Sequence, residues 1–95
     1  MQLDKYNLIK TPTNIDRRMK QTDKIRKHWE SKGWFVVNLI KTNKNGIPDY
    51  VIFKDGITVF VESKEEWDSL SKIQEYRIKE LKQLGFKVYV NENEI

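Results

Sequence analysis

Apolar side chains between Thr13 and Lys32 recur at the three- and four-residue intervals of an amphipathic helix. Asn14 or Thr13 can cap its start, and Gly33 supplies a stop after its last turn. We therefore predict a first helix from Thr13 or Asn14 to about Lys32, preceded by an irregular lead-in over residues 1–12. The residues expected to share its core face are Ile15, Met19, Thr22, Ile25 and Trp29.

The middle of the chain is rich in β-branched and aromatic residues, which favour strands. Three strands are predicted there, over Trp34–Ile40, Tyr50–Phe53 and Ile57–Ser63. A polar loop, Lys41–Gly46, separates the first two strands. Between the second and third, the pair Asp55-Gly56 is a hairpin turn signal. The second and third strands are therefore expected to pair antiparallel.

A second helical pattern occupies the last third of the chain. Ser71 and Gln74 have the spacing of a capping box, and the helix they open is expected to end at Leu84, before Gly85. Its expected apolar stripe is Ile73, Tyr76, Leu81 and Leu84, and a last strand follows over Phe86–Val90. The order αβββαβ predicts a single α/β domain over residues 1–95, in which helices flank a mixed sheet.

Positive charge is concentrated in the first half of the chain. Lys and Arg number 18 against 14 acidic residues, a formal net charge of +4. Residues 5–44 carry most of the excess, in Lys5, Lys10, Arg17, Arg18, Lys20, Lys24, Arg26, Lys27, Lys32, Lys41 and Lys44, against Asp16, Asp23 and Glu30. Such asymmetry is typical of a surface that contacts nucleic-acid phosphates, although a solvated helix face is a competing explanation.

Composition excludes several classes of protein. Cysteine is absent, which excludes disulfides, zinc–thiolate sites and cysteine nucleophiles. The chain has no secretory apolar segment and no apolar run of the roughly 20 residues that span a bilayer, so we expect a cytoplasmic protein without a membrane partner. His28, the single histidine, lies opposite the apolar stripe and is expected to be solvent-exposed. The small core of so short a chain favours a dimer.

Two charged residues, Glu62 and Lys64, end the hydrophobic third strand and share one of its faces by alternation. Because burying an unpaired charge is costly, they need a partner. Counting outward from the hairpin turn places Asp49 opposite Glu62, on the same face, with Cβ atoms roughly 4.5–5.5 Å apart. Two carboxylates so close repel unless a cation lies between them. This arrangement predicts a site for a hard divalent cation such as Mg²⁺.

The strings around these residues resemble those of the VRR-NUC family of PD-(D/E)xK nucleases. The matching strings are Gly46-Ile47-Pro48-Asp49, Glu62-Ser63-Lys64, Leu70-Ser71-Lys72-Ile73-Gln74 and Gly85. The resemblance covers Gly46 to Val90. It implies a restriction-endonuclease-like αβββαβ core and a metal-dependent deoxyribonuclease that hydrolyses phosphodiester bonds.

The resemblance also implies a role for each residue of the central motif. Asp49 and Glu62 would bind Mg²⁺, or Mn²⁺, together with the backbone carbonyl of Ser63. Lys64 would orient or activate the attacking water, while the cation lowers the pKa of that water and stabilises charge on the phosphate.

Five further residues have both a functional and a plainer explanation. Gln74 aligns with a glutamine at the edge of such active sites, but its capping box explains it equally well. The family places a glutamate in its first helix, for which Asp23 is the candidate, with a surface ion pair as the alternative. Trp67 could stack on a base, or pack over the helix start or at a dimer contact. Lys41 and Lys44, in the polar loop, could contact phosphates or simply be solvated.

The resemblance finally implies partners and a setting. Small standalone members are thought of as homodimers that act on branched DNA such as four-way junctions, so DNA and a second copy are the expected partners. A phage or mobile-element origin would place the enzyme in the host cytoplasm. The alternatives are a nucleic-acid-binding module of the same fold without turnover and a structural or inhibitory phage protein. Intact Asp49, Glu62 and Lys64 argue against both.

Overall fold

A computed structural model describes residues 20–95 of the chain. Its elements are helix α1 (Gln21–Ser31), strands β1 (Phe35–Asn38), β2 (Tyr50–Lys54) and β3 (Ile57–Glu62), helix α2 (Lys72–Gln83), and strands β4 (Lys87–Val90) and β5 (Asn93–Glu94). The strands form one mixed sheet in the order β1-β2-β3-β4-β5. Only β3 and β4 are parallel, joined by the α2 crossover. The predicted α/β fold, compatible with a restriction-endonuclease-like core, is confirmed.

Helix α1 begins later than predicted. Its N-cap, Lys20, has an extended backbone with φ −70° and ψ 158°, so a continuous helix from Thr13 or Asn14 is wrong. The lead-in and the expected core residues Ile15 and Met19 lie outside the described residues. The end of the helix agrees with the prediction, since Gly33 follows the last turn with a φ of +90°.

Helix α1 covers one face of the sheet. The buried cluster there consists of Ile25, Trp29, Tyr50, Ile52, Val59 and Val61. Trp34 and Tyr89 pack edge to face on the Trp29 ring, with centroids 5.8 Å and 5.3 Å away. The core assignment of Ile25 and Trp29 is confirmed. The exposed position predicted for His28 is wrong: the side chain is half-buried, because its ring packs edge-on against Trp29 at 5.1 Å.

Helix α2 covers the other face at β3 and β4, but not with the predicted stripe. Three of the four predicted residues are exposed, at 43%, 57% and 68% for Ile73, Tyr76 and Leu84. Leu81, the fourth, is buried as predicted, and Ile78, which was not predicted, is buried with it against Val88 of β4. Because Gln74 precedes Ile78 by four residues, it lies on the same helix face. This correction turns Gln74 toward the sheet.

The β2–β3 hairpin has the predicted register, from Lys54 opposite Ile57 to Tyr50 opposite Val61. Its turn residue Asp55 has φ 52° and is followed by Gly56 with φ 78°, the positive angles of a type I′ turn. The predicted first strand is longer than the observed β1, and β5 was not predicted. Among residues 20–95, neither helix has the length and apolar character needed to cross a membrane.

Candidate active site

Asp49 lies at the entrance to β2, where the chain has already joined the sheet. Its carbonyl accepts a hydrogen bond from the Leu39 amide at 2.8 Å. Its carboxylate Oδ2 accepts one from the backbone amide of Ser63, also at 2.8 Å. One further step of the β2–β3 register brings Asp49 beside Glu62. The predicted meeting of these two carboxylates is therefore present.

Glu62, the last residue of β3, is a buried carboxyl group with 3% of its surface exposed. Burial raises its pKa to about 8, and the Asp49 carboxylate adds to the increase, while the Lys64 ammonium opposes it. The charge of Lys64 is thus close enough to act on Glu62, as the strand alternation predicted. Near neutral pH without a cation, Glu62 retains its proton.

Gln74 caps α2 and also contacts Glu62. It completes the capping box with Ser71: the backbone amide of Gln74 donates to Ser71 Oγ at 3.2 Å, and Gln74 Oε1 accepts from the backbone amide of Ser71 at 2.9 Å. The side-chain nitrogen of Gln74, Nε2, donates to Glu62 Oε2 at 3.1 Å. The cap therefore fixes the side-chain amide in the orientation that contacts the buried carboxyl group.

The loop before Asp49 rests on the first turns of α2. Gly46 has a φ of +78°, and a Cβ atom there would lie 2.6 Å from the Ile73 carbonyl oxygen. Arg77 holds the same loop by donating from Nε to the Asn45 carbonyl at 2.7 Å. Only glycine fits this close approach, which leads the chain into the buried Pro48 and then Asp49.

Two surface cavities meet at Asp49. Asp23 lines one, of about 410 Å³, and Lys41 and Lys44 line the other, of about 330 Å³. Asp23 also lies 3.8 Å from an Arg26 nitrogen. Within the described part of the chain, no three histidine, aspartate or glutamate side chains come close enough to hold one metal ion. Asp23 thus borders the site without completing a three-carboxylate cluster.

Trp67 does not line either of these cavities. It lies in the segment between β3 and α2, and 82% of its surface is exposed. Of the expected explanations for this residue, packing over the helix start does not describe a side chain so exposed. A contact with a ligand or another molecule remains compatible with its position.

Asn91, in the turn between β4 and β5, was not identified from the sequence. Its side-chain amide hydrogen-bonds both the amide and the carbonyl of Lys64, at 2.9 Å and 2.8 Å. The residue has a φ of 57°, and asparagine tolerates this left-handed conformation better than most residues. That tolerance could have indicated a turn, but not the contact with Lys64.

The donor set suits a hard divalent cation. Asp49 and Glu62 offer carboxylate oxygens in one place, and such ligands are the ones that Mg²⁺ prefers. Burial, and then the neighbouring Asp49 carboxylate, raise the pKa of Glu62 and so disfavour its ionised form. A bound cation would favour the ionised form of both groups. The residues present therefore fit the predicted metal.

A family model described as VRR-NUC domain matches residues 5–92. The match includes Asp49, Glu62 and Lys64, and it extends beyond the Gly46–Val90 stretch into the basic first half of the chain. Comparisons with curated proteins and with solved structures found no match. The matched range thus spans every element that positions the candidate site.

Proposed function

The chain belongs to the VRR-NUC domain family and carries a nuclease-type domain, and from this premise we propose that it is a divalent-metal-dependent endonuclease of DNA. The observation that carries the proposal is the pair Asp49 and Glu62, one of them buried with a pKa of about 8. Placing two carboxyl groups close together, one of them buried, costs free energy of folding, and such pairs are common where they bind a ligand.

Each residue of the site has a task in this reaction. Asp49, Glu62 and the Ser63 carbonyl would hold Mg²⁺ or Mn²⁺, which when bound supplies a water of lowered pKa and neutralises charge on the scissile phosphate. Lys64 orients the attacking water and offsets charge in the transition state. Gln74 keeps the Glu62 carboxyl group in one orientation through its donated hydrogen bond. We propose Asp23 as an additional, outer contributor to the same metal site.

DNA would approach along the loop that borders Asp49. Lys41 and Lys44 are exposed and line the cavity that contains this carboxylate, so phosphates bound by them would lie next to the reacting centre. Trp67 offers an exposed indole on which an unpaired base could stack. Base stacking is interrupted at a branch point and at a frayed end, and we propose branched DNA, including four-way junctions, as the substrate.

We also propose that the enzyme acts as a homodimer. The sheet face opposite α1 presents Phe35 and Phe53, which are 69% and 40% exposed, with ring centroids 6.4 Å apart. Exposed apolar patches of this kind mark protein contacts. The double substitution Phe35→Ser with Phe53→Ser is expected to convert a dimer into a monomer in sedimentation equilibrium. A wild-type protein that is monomeric at high concentration would refute the dimer.

The nuclease proposal is tested by incubating labelled duplex, flap and four-way-junction DNA with the protein in Mg²⁺, Mn²⁺ or EDTA. Glu62→Gln removes the ionisable ligand, and Glu66→Gln changes an exposed glutamate nearby as the matched control. We expect cleavage only with a divalent cation, its loss in Glu62→Gln, and retention in Glu66→Gln. Equal cleavage by wild type and Glu62→Gln would refute this site.

A catalytically inactive DNA-binding module is the second candidate. It is favoured by the finding that, within residues 20–95, no group of three histidine, aspartate or glutamate side chains could hold a metal ion. The same assay separates the two: binding without cleavage on every substrate and in every metal would support the module. Asp23→Asn is expected to raise the Mg²⁺ concentration that half-maximal cleavage requires, and an unchanged requirement would remove Asp23 from the site.

A further inference from the structure

Asn91 holds the polypeptide at the point where β3 leaves the sheet. Pairing of β3 with β4 ends at Glu62. At Lys64, two residues beyond Glu62, the backbone amide donates to Asn91 Oδ1 and the backbone carbonyl accepts from Asn91 Nδ2. The amide and the carbonyl of one residue belong to its two flanking peptide planes, so both planes around Lys64 are fixed. The side chain of Asn91 therefore hydrogen-bonds the backbone just beyond the last β3–β4 pair.

The backbone of Asn91 is anchored in turn. Its amide donates to the Glu62 carbonyl at 2.8 Å, and its carbonyl accepts from Nε1 of Trp29 at 3.2 Å. Trp29 is only 7% exposed and belongs to the α1 core cluster. Asn91 therefore connects the backbone at Glu62 and Lys64 to the packed core between α1 and the sheet.

Lys64 depends on this backbone support. Among residues 20–95 the side-chain ion pairs are made by Arg26 and Arg77, and none involves the Lys64 ammonium. A long lysine side chain has many rotamers, and ordering it is costly in entropy. Because no ion pair within residues 20–95 holds its head group, the position of the Lys64 Cα and the direction of its Cβ decide which volume the ammonium can reach.

We propose that Asn91 is a positioning residue for the nuclease reaction. Its side chain clamps the Lys64 backbone so that the Lys64 ammonium lies near Asp49 and Glu62. This inference rests on the proposed function. Asn91 needs no contact with DNA or metal for this role. Supporting groups of this kind commonly change rates by about 10–100-fold when removed.

Asn91→Gly tests the clamp with little disturbance of the turn. Glycine accepts a φ of 57° without steric cost, and the bonds made by the backbone of residue 91 remain possible. Asn93→Gly is the matched control, because Asn93 is an exposed asparagine two positions further on. Thermal unfolding of both variants reports any general loss of stability.

The first measurement uses neither metal nor DNA. In hydrogen exchange followed by NMR, the Lys64 amide should exchange at least about tenfold faster in Asn91→Gly than in wild type. The Ser63 amide, which donates to Asp49, is the internal reference and should change by less than about twofold. Unchanged exchange of the Lys64 amide would refute the clamp. Equal acceleration of both amides would also refute it, because that result indicates general loosening.

The second measurement is the single-turnover cleavage rate at saturating protein. Asn91→Gly should lower it by about 10–100-fold while changing the Kd for DNA in EDTA by less than about twofold. In a Lys64→Ala background the same substitution should have almost no further effect, because the group that it positions is gone.

Two kinetic results would overturn the positioning role: cleavage at the wild-type rate by Asn91→Gly, or an equal loss of rate with and without Lys64. A wild-type protein that cleaves no substrate in Mg²⁺ or Mn²⁺ refutes the proposed function, and the positioning role with it. The exchange measurement then still decides whether the clamp exists. Failure of the inference and failure of the function are thus distinguishable.

Discussion

Glu62 links the stability of the protein to its chemistry. Burial, followed by the Asp49 carboxylate, raises the pKa of this group from 4.5 to about 8. Between these values the folded protein holds a proton that the unfolded chain has released. The folded state then binds more protons than the unfolded state, so the free energy of unfolding falls as pH rises from 4.5 to 8. The stabilising contribution is complete only below the unfolded pKa.

Glu62→Gln should remove this pH dependence in the metal-free protein. The amide cannot ionise, and its oxygen can still accept the hydrogen bond from Gln74. We expect the variant to be more stable than wild type at pH 8.5 by about 1–3 kcal/mol and similar to it at pH 5. Full linkage would give about 1.4 kcal/mol for each pH unit of the pKa shift. The expected difference is smaller because the site can relax.

Urea unfolding in EDTA at several pH values measures this difference. Glu66→Gln is the control, and its stability should follow the wild-type pH profile. Wild-type stability that does not decrease between pH 5 and pH 8.5 would contradict the protonated, buried state of Glu62.

At the scale of elements, the close contact between the Gly46 loop and α2 carries Asp49 into place. Gly46 and Gly56 have the same φ of +78°, but a Cβ would meet the Ile73 carbonyl only at Gly46 and nothing within 4 Å at Gly56. Gly56→Ala should therefore cost about 1–2 kcal/mol of left-handed strain. Gly46→Ala should cost about 1–3 kcal/mol more, because the loop must also move away from the helix.

Thermal unfolding of the two glycine variants measures the difference. Gly46→Ala should also reduce cleavage, since Asp49 moves with the loop, whereas Gly56→Ala should leave cleavage near the wild-type rate. Equal destabilisation by the two substitutions would show that the contact with α2 has no energetic weight.

The same loop is expected to supply phosphate contacts. The double substitution Lys41→Ala with Lys44→Ala should weaken DNA binding in EDTA and lower the slope of log K against log salt by about 2, roughly one for each contact. Lys79→Ala with Lys82→Ala is the control, because these lysines line a separate cavity of about 480 Å³ beside α2. Fluorescence anisotropy over a salt series gives both slopes, and identical slopes would place the DNA elsewhere.

At the scale of the whole molecule, a cation bound only by the folded state should stabilise the entire domain. We expect Mg²⁺ at about 100 times its Kd to add about 2.7 kcal/mol to wild type. The midpoint temperature should rise by several degrees. At one fixed Mg²⁺ concentration the shift should be larger at pH 8 than at pH 6, because binding must displace the Glu62 proton at the lower pH and the Kd is therefore higher there.

Differential scanning fluorimetry over a Mg²⁺ series measures these shifts. Glu62→Gln, which keeps the shape of the side chain but not its charge, should show little or no shift. An equal shift in wild type and Glu62→Gln would mean that the cation binds at another place.

The sequence alone determined the turns and caps, whose geometry depends on residues close together in the chain. Asp55-Gly56 supplies the positive φ angles of its turn, and that turn then sets the β2–β3 register because a hairpin leaves no other freedom. From this register, the approach of Asp49 to Glu62 could be counted residue by residue. The capping box of Ser71 and Gln74 was equally local.

Tertiary packing decided the rest. The buried face of α2 depends on where the helix crosses β4, so its own apolar residues predicted Ile73 and Tyr76 incorrectly. Likewise, the turn at Asn91 meets Lys64 only because β4 pairs in parallel with β3. Turns and caps depend on backbone geometry over a few residues. Helix faces and the support of the active site depend on contacts between residues distant in the chain, which no local pattern encodes.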